Sequence, residues 1–151
     1  MISLNGRIWT IKYQQKLKVL NLFKILAVVW GMTKEHRYLT LASDARKQST
    51  MKIKVGAVLV RGSRVIKLAH NTMGKSRTNS WSRHAEVRAT INVNAEGCTI
   101  YIAREHGTLG SPMLAKPCHN CFEWLDYVGI KEVVFTISQY PFYQSYVIEK
   151  S

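Results

Sequence analysis

From Thr33 onward the chain alternates short apolar runs with stretches of helical spacing. Thr33 is a helix-capping residue type, and Glu35 and His36 follow it in what reads as a first turn. Tyr38, Leu39, Ala42 and Ala45 then recur at helical steps, predicting a helix that ends near Gln48. Val55–Val60 is a short apolar run with β-branched character, and Arg64–Ala69 is another. Gly62-Ser63 between them is a hairpin turn of the Gly-first type, so these two strands pair antiparallel. His84–Val93 reads as a helix, Cys98–Ala103 as a buried strand, Cys118–Val128 as a second helix closed by Gly129, and Val133–Ile137 as a strand. Residues 71–83 and 105–116 are polar and read as loops. The tail after Tyr140 has room for one short strand or one short helix, not both. Single helices between strands imply parallel crossovers in one sheet. The predicted class is therefore α/β: a mixed sheet with an antiparallel hairpin and parallel crossovers to the two later strands.

Composition adds limits. The 151 residues, 46% hydrophobic and 21% charged, match one globular domain. Three cysteines, Cys98, Cys118 and Cys121, are too few and odd in number for a disulfide framework, so a reducing, cytoplasmic setting is expected. Charge is the unusual quantity, with 22 Lys+Arg against 9 Asp+Glu for a net +13. Such a balance favours anionic partners. Residues 1–31 hold five of the cations, Arg7, Lys12, Lys16, Lys18 and Lys24, and no acid, which leaves +8 on residues 32–151.

Leu17–Trp30 is mostly apolar, but Lys24 interrupts it and a membrane span needs about 20 apolar residues. Val29-Trp30-Gly31 is a poor cleavage site, so neither a transmembrane segment nor a signal peptide is expected. Three readings of residues 1–31 stand side by side. They are an extra amphipathic helix against the body or a neighbouring subunit, an upstream extension before a start at Met32, or a basic membrane-surface helix.

Chemistry concentrates in His84-Ala85-Glu86 and Pro117-Cys118-His119-Asn120-Cys121. Cys118 and Cys121 stand at i and i+3 at a predicted helix start, where the helix dipole lowers a thiol pKa. Two thiolates and one imidazole form a three-ligand zinc set, which leaves a position open for water as in catalytic sites. Glu86 can serve that water only if it and His84 both lie at the start of their helix, because i and i+2 diverge inside one. No second C-x-x-C exists, which removes a zinc ribbon. His119 reads as a surface residue, Cys98 as an inert core thiol, and Trp81 as a wall of a cavity or a packing residue. Tyr140, Phe142 and Tyr143 read chiefly as packing.

The pairing H-x-E … P-C-x-x-C is the signature of the zinc nucleobase deaminases. The chain resembles the cytidine deaminase-like superfamily, its deoxycytidylate branch above all, from about Thr33 to Ile137. Val55-Gly56-Ala57-Val58, Asn71, Thr99-Ile100-Tyr101 and Gly129-Ile130-Lys131 join the two motifs in carrying the likeness. It implies a three-layer α/β/α fold, with residues 32–151 as a zinc-dependent deaminase domain. It further implies that His84, Cys118 and Cys121 hold zinc, that Glu86 is the proton shuttle, and that Asn71 and Ala85 touch the substrate. Family members are often homo-oligomers, so a homo-oligomer is a further expectation.

Three functions follow. The first is hydrolytic deamination of a cytosine-type nucleoside or nucleotide. The second is deamination of a base within single-stranded DNA or RNA, favoured by the basic body and by Lys75, Arg77 and Arg83 in the 71–83 segment. That segment keeps Gly74 but lacks the proline usual in deoxycytidylate deaminases. The third is a non-catalytic, zinc-bearing nucleic-acid-binding module, which the presence of Glu86 disfavours.

Overall fold

The computed structural model of the chain describes residues 33–75 and 80–150. Residues 1–31 therefore lie outside it, as do Arg77 and the side chains of Lys75 and Trp81. Helix α1 spans Lys34–Arg46, and the Thr33 hydroxyl accepts the His36 N–H at its start. Strands β1 (Val55–Arg61) and β2 (Arg64–His70) form the expected antiparallel hairpin. Gly62 turns it with φ of +60°, a conformation that favours glycine.

Segment 71–83 departs from the loop expectation. Strands β3 (Thr72–Lys75) and β4 (Ser80–Arg83) pair antiparallel as a separate two-stranded ribbon. Each half has one large apolar residue, Met73 or Trp81, among polar ones and glycine, so no run of apolar alternation advertises them, and the pairing arises across a gap in sequence. Helix α2 is short, Ala85–Thr90. Strand β5 (Thr99–Glu105) follows. The predicted 105–116 loop contains a two-residue strand, β6 (Pro112–Met113), paired with the end of β5. Helix α3 (His119–Tyr127), strand β7 (Glu132–Thr136) and one tail strand, β8 (Tyr143–Val147), complete the chain.

The main sheet runs β2-β1-β5-β7-β8. Strand β1 is antiparallel to both of its neighbours, β2 and β5, so β2 and β5 run parallel and α2 is a parallel crossover between them. β5 and β7 are directly parallel, joined by α3. The mixed sheet and both predicted crossovers are present.

The apolar run of β1 is continuous because both sheet faces are covered. Ala57 and Leu59 face α2 and α3, in a core with Ala89, Ile100, Leu125 and Phe135. Val58 and Val60 face α1, in a core with Tyr38, Leu39, Ala42 and Tyr101. This is a three-layer α/β/α sandwich. Arg46 of α1 and Glu105 at the end of β5 form an ion pair with side chains 14% and 5% exposed, and Ser43 donates to the same carboxylate. The pair ties α1 to the C-terminal end of the central strand β5.

Gly56 is where α1 touches β1. A Cβ there would lie 1.9 Å from the Ala42 carbonyl oxygen and 2.7 Å from the Arg46 nitrogen. Backbone cannot move aside as a side-chain tip can, so Gly56→Ala must push α1 off the sheet. Overpacking commonly costs about 1–3 kcal/mol, which lowers Tm by about 2–12 °C in a chain of this size. Thermal unfolding of the zinc-loaded protein checks this, and an unchanged Tm would refute the close approach.

Candidate active site

Two helix starts converge on the site. His84 is the N-cap of α2 and Cys118 the N-cap of α3, both in extended backbone (φ −68°, ψ 146° and φ −67°, ψ 166°) and neither using its side chain as a cap. Both side chains are thereby left for other work. His84 Nδ1 lies 3.1 Å from Cys121 Sγ and 3.7 Å from Cys118 Sγ. The three donor atoms fall within 4.8 Å of one another. Tetrahedral zinc with ordinary Zn–N and Zn–S bonds requires N···S separations of about 3.6 Å. The observed distances bracket that value, so the donor set fits zinc.

Electrostatics point the same way. Burial, above all, pushes the Cys121 thiol up, and the neighbouring Glu86 carboxylate and Cys118 add to it. This reverses the sequence expectation of a thiol lowered by the helix dipole: the side chain is buried among groups of its own sign. A divalent cation between the sulfurs supplies the missing positive charge and favours the thiolate.

Glu86 is 5% exposed. Burial raises its carboxyl above the ordinary range, while a hydrogen bond with its own backbone and the nearby His84 pull it back. Because His84 is extended rather than helical, His84 and Glu86 reach one cavity despite their i, i+2 spacing. That cavity measures about 440 Å³ and is also lined by Asn71, Ala85 and Cys118, within the range of small-molecule sites. Five of the six residues singled out from the sequence therefore line one cavity, and the sixth, Cys121, stands beside it with its sulfur 3.1 Å from His84 Nδ1.

Asn71 is 7% exposed and largely spoken for. Its carbonyl oxygen accepts from Ser49 Oγ at 2.7 Å and from the Val55 N–H at 2.9 Å, and its amide donates to the Ile53 carbonyl at 2.7 Å. These bonds clamp residues 49–55, which form one rim of the cavity. One amide proton remains for another acceptor. Sequence reasoning gave no site role to other lining residues, among them Lys52, Ile53, Arg104, Leu114 and Lys116. Only Lys116 had a signal, being next to Pro117-Cys118. The others come from segments that only folding brings together.

His119 is exposed and pairs with Glu123 at 3.1 Å, and Cys98 is fully buried in the core, as expected of both. The tail aromatics make edge contacts, Tyr140 with Phe142 and Tyr143 with His36. No helix among the described residues is long and apolar enough to cross a membrane.

The profile of the cytidine and deoxycytidylate deaminase zinc-binding region matches residues 32–137. The chain belongs to this family. Zinc is therefore the metal that the His84, Cys118 and Cys121 donors are positioned to hold. No curated protein sequence matches the chain. Among solved structures, the dCMP deaminase of the cyanophage S-TIM5 superposes with a TM-score of 0.54 at 22% identity, over 70% of this chain and 86% of that one. The cytidine deaminase of Burkholderia pseudomallei superposes with a TM-score of 0.55 at 20% identity, over 77% and 93%. At these identities the likeness establishes that this deaminase-family chain shares their fold.

Proposed function

We propose that the protein hydrolytically deaminates a cytosine-type nucleoside or nucleotide, giving the uracil-type product and ammonia. The observation that carries this reading is the buried Glu86 carboxyl sharing one cavity with the zinc donors. A structural zinc module has no use for a buried carboxyl beside its metal. The S-TIM5 enzyme, captured with dCMP and dUMP, has the same fold and supports a nucleotide as substrate.

Zinc bound by His84, Cys118 and Cys121 supplies a Lewis acid that lets water give up a proton near neutral pH. Glu86 accepts that proton as the water oxygen adds to the ring carbon bearing the amine. Glu86 then delivers it to the adjacent ring nitrogen. The remaining proton of the added hydroxyl passes by way of Glu86 to the amine, which leaves as ammonia with the electrons of its C–N bond. A carbonyl remains where the amine stood. A carboxyl raised by burial suits this work, because it must take up and release protons near neutrality. Asn71 offers its remaining amide proton to the substrate. Ala85, fully buried, offers only its backbone at the helix start.

The test is ammonia release from cytosine, cytidine, deoxycytidine and deoxycytidylate by the zinc-loaded protein. Turnover of at least one supports the reading, and turnover of none, in this panel or in cytosine-containing oligonucleotides, overturns it. The basic body favours a second reading, a base within single-stranded nucleic acid, argued below.

Residues 32–151 serve as the deaminase domain in this reading, with 1–31 an extension. A chain beginning at Met32 is accordingly expected to fold and to keep about one zinc, the content a three-ligand site implies. Loss of zinc-loaded protein on that truncation would make residues 1–31 part of the folding unit.

A further inference from the structure

The zinc donors form a wall between two openings. His84 and Cys118 line the Glu86 cavity and also a second hollow of about 660 Å³ between β2, α2 and the start of α3. Among the described residues, Lys67, Arg83 and Arg88 line that second hollow and no carboxylate does, while Lys52, Arg104 and Lys116 line the first with Glu86 as its one acid.

Lys67 and Arg88 are positioned without being neutralised. Lys67 Nζ donates to the Ile91 carbonyl at 2.8 Å, and the Arg88 guanidinium donates to the His70 carbonyl. A carbonyl fixes a cation in place and leaves its charge available. Among the described residues the ion pairs are Lys34–Glu35, Arg46–Glu105, Lys47–Asp44, His119–Glu123 and Lys150–Glu96. None includes Lys52, Lys67, Arg88, Arg104 or Lys116. Nor is the positive charge spread evenly. The cleft of about 960 Å³ between α3 and β8 sets Glu123, Asp126 and Glu149 against Lys116 and His119.

Cations on both sides of the donors exceed what a mononucleotide uses, because it carries phosphate on one side of its sugar only. A strand carries a phosphate before and after each internal nucleotide. We propose that the site takes its base from a single-stranded polynucleotide, with flanking phosphates held by Lys67 and Arg88 on one side and by Lys52, Arg104 and Lys116 on the other. This rests on the zinc- and Glu86-dependent deamination read above, and puts a cytosine within a strand in place of the free nucleoside or nucleotide as the preferred substrate. Apolar surface lies where neighbouring bases would rest: Ile53 and Leu114 at the first opening are 53% and 55% exposed, and Leu68 at the second is 51% exposed. A base already unpaired in a single strand enters at the least cost in unstacking.

The experiment uses the zinc-loaded full chain with single-stranded DNA and RNA of about 15 nucleotides, each containing one cytosine, a length that spans a typical single-strand site. Turnover of each strand is compared with that of deoxycytidylate and deoxycytidine. Binding is measured across a salt series. A single strand loses about 0.7 in the slope of log K against log salt for each phosphate neutralised, so a slope of about −2 to −3 is expected. Lys67→Glu with Arg88→Gln should flatten it by about 1 and weaken binding at least tenfold.

The expected result is a kcat/KM for one strand at least tenfold above that of either small substrate. Small substrates turned over as well as the strands would overturn the proposal and leave the deaminase reading standing. A salt slope unmoved by the double variant would place binding elsewhere and overturn it also. Turnover of no cytosine compound of any kind would defeat both. Should the double variant lose zinc, the preference of the unaltered chain decides alone.

Discussion

Replacing Glu86 with glutamine is expected to lower turnover by about 10²–10⁴-fold or more while leaving zinc in place. Glutamine keeps the size of the side chain, so the buried position is filled as before. It cannot accept a proton from water, and every transfer in the proposed reaction passes through this one carboxyl. General acid–base groups that act once commonly contribute within that range, and a group that acts several times belongs at its upper end. Metal content should be unchanged because Glu86 lies outside the three-donor set, which is already the right size for zinc. The measurement is turnover of the best substrate in the panel, with zinc determined on the same samples. Near-normal turnover would sink the mechanism. Loss of zinc would instead make Glu86 a ligand and the centre a closed, structural one.

The parts of this molecule that could be read in advance are those whose cause is local. The two-face burial of Val55–Val60, the Gly62 turn and the Gly129 stop, with its φ of +84°, each follow from a few adjacent residues. The zinc donors were legible because metal chemistry limits which side chains can take part. What escaped depends on residues distant in the chain. The β3–β4 ribbon has a single large apolar residue on each strand, Met73 and Trp81, too few to announce it as alternation. The Arg46–Glu105 pair joins residues 59 apart. Gly56 could be seen as part of a motif, but the reason for it, the Ala42 carbonyl against its Cα, appears only when α1 lies on β1. The direction in which the Cys121 thiol moves belongs to the same class. A helix start alone lowers a thiol, and burial beside Glu86 and Cys118 reverses it.

That reversal sets the expectation for the zinc donors. Burial keeps the Cys121 thiol protonated in the folded chain without metal, so zinc must displace that proton and binds the three donors only where folding gathers them. Chelating the metal is then expected to lower Tm as well as abolish activity, because a ligand that binds the folded state at 1,000 times its Kd contributes about 4 kcal/mol. Cys118→Ala with Cys121→Ala should reduce zinc from about one per chain to none and leave no measurable turnover, since one imidazole cannot retain the ion. His84→Ala should have the same effect, losing zinc and activity together where Glu86→Gln loses activity alone. Cys98→Ala is the matching control. Its thiol is buried in the core outside the donor set, so zinc and turnover should survive a modest loss of stability. Metal analysis across these variants decides the assignment. Full zinc in the double cysteine variant would remove Cys118 and Cys121 from the centre, and zinc loss in Cys98→Ala would add a fourth ligand and close the position that the water requires.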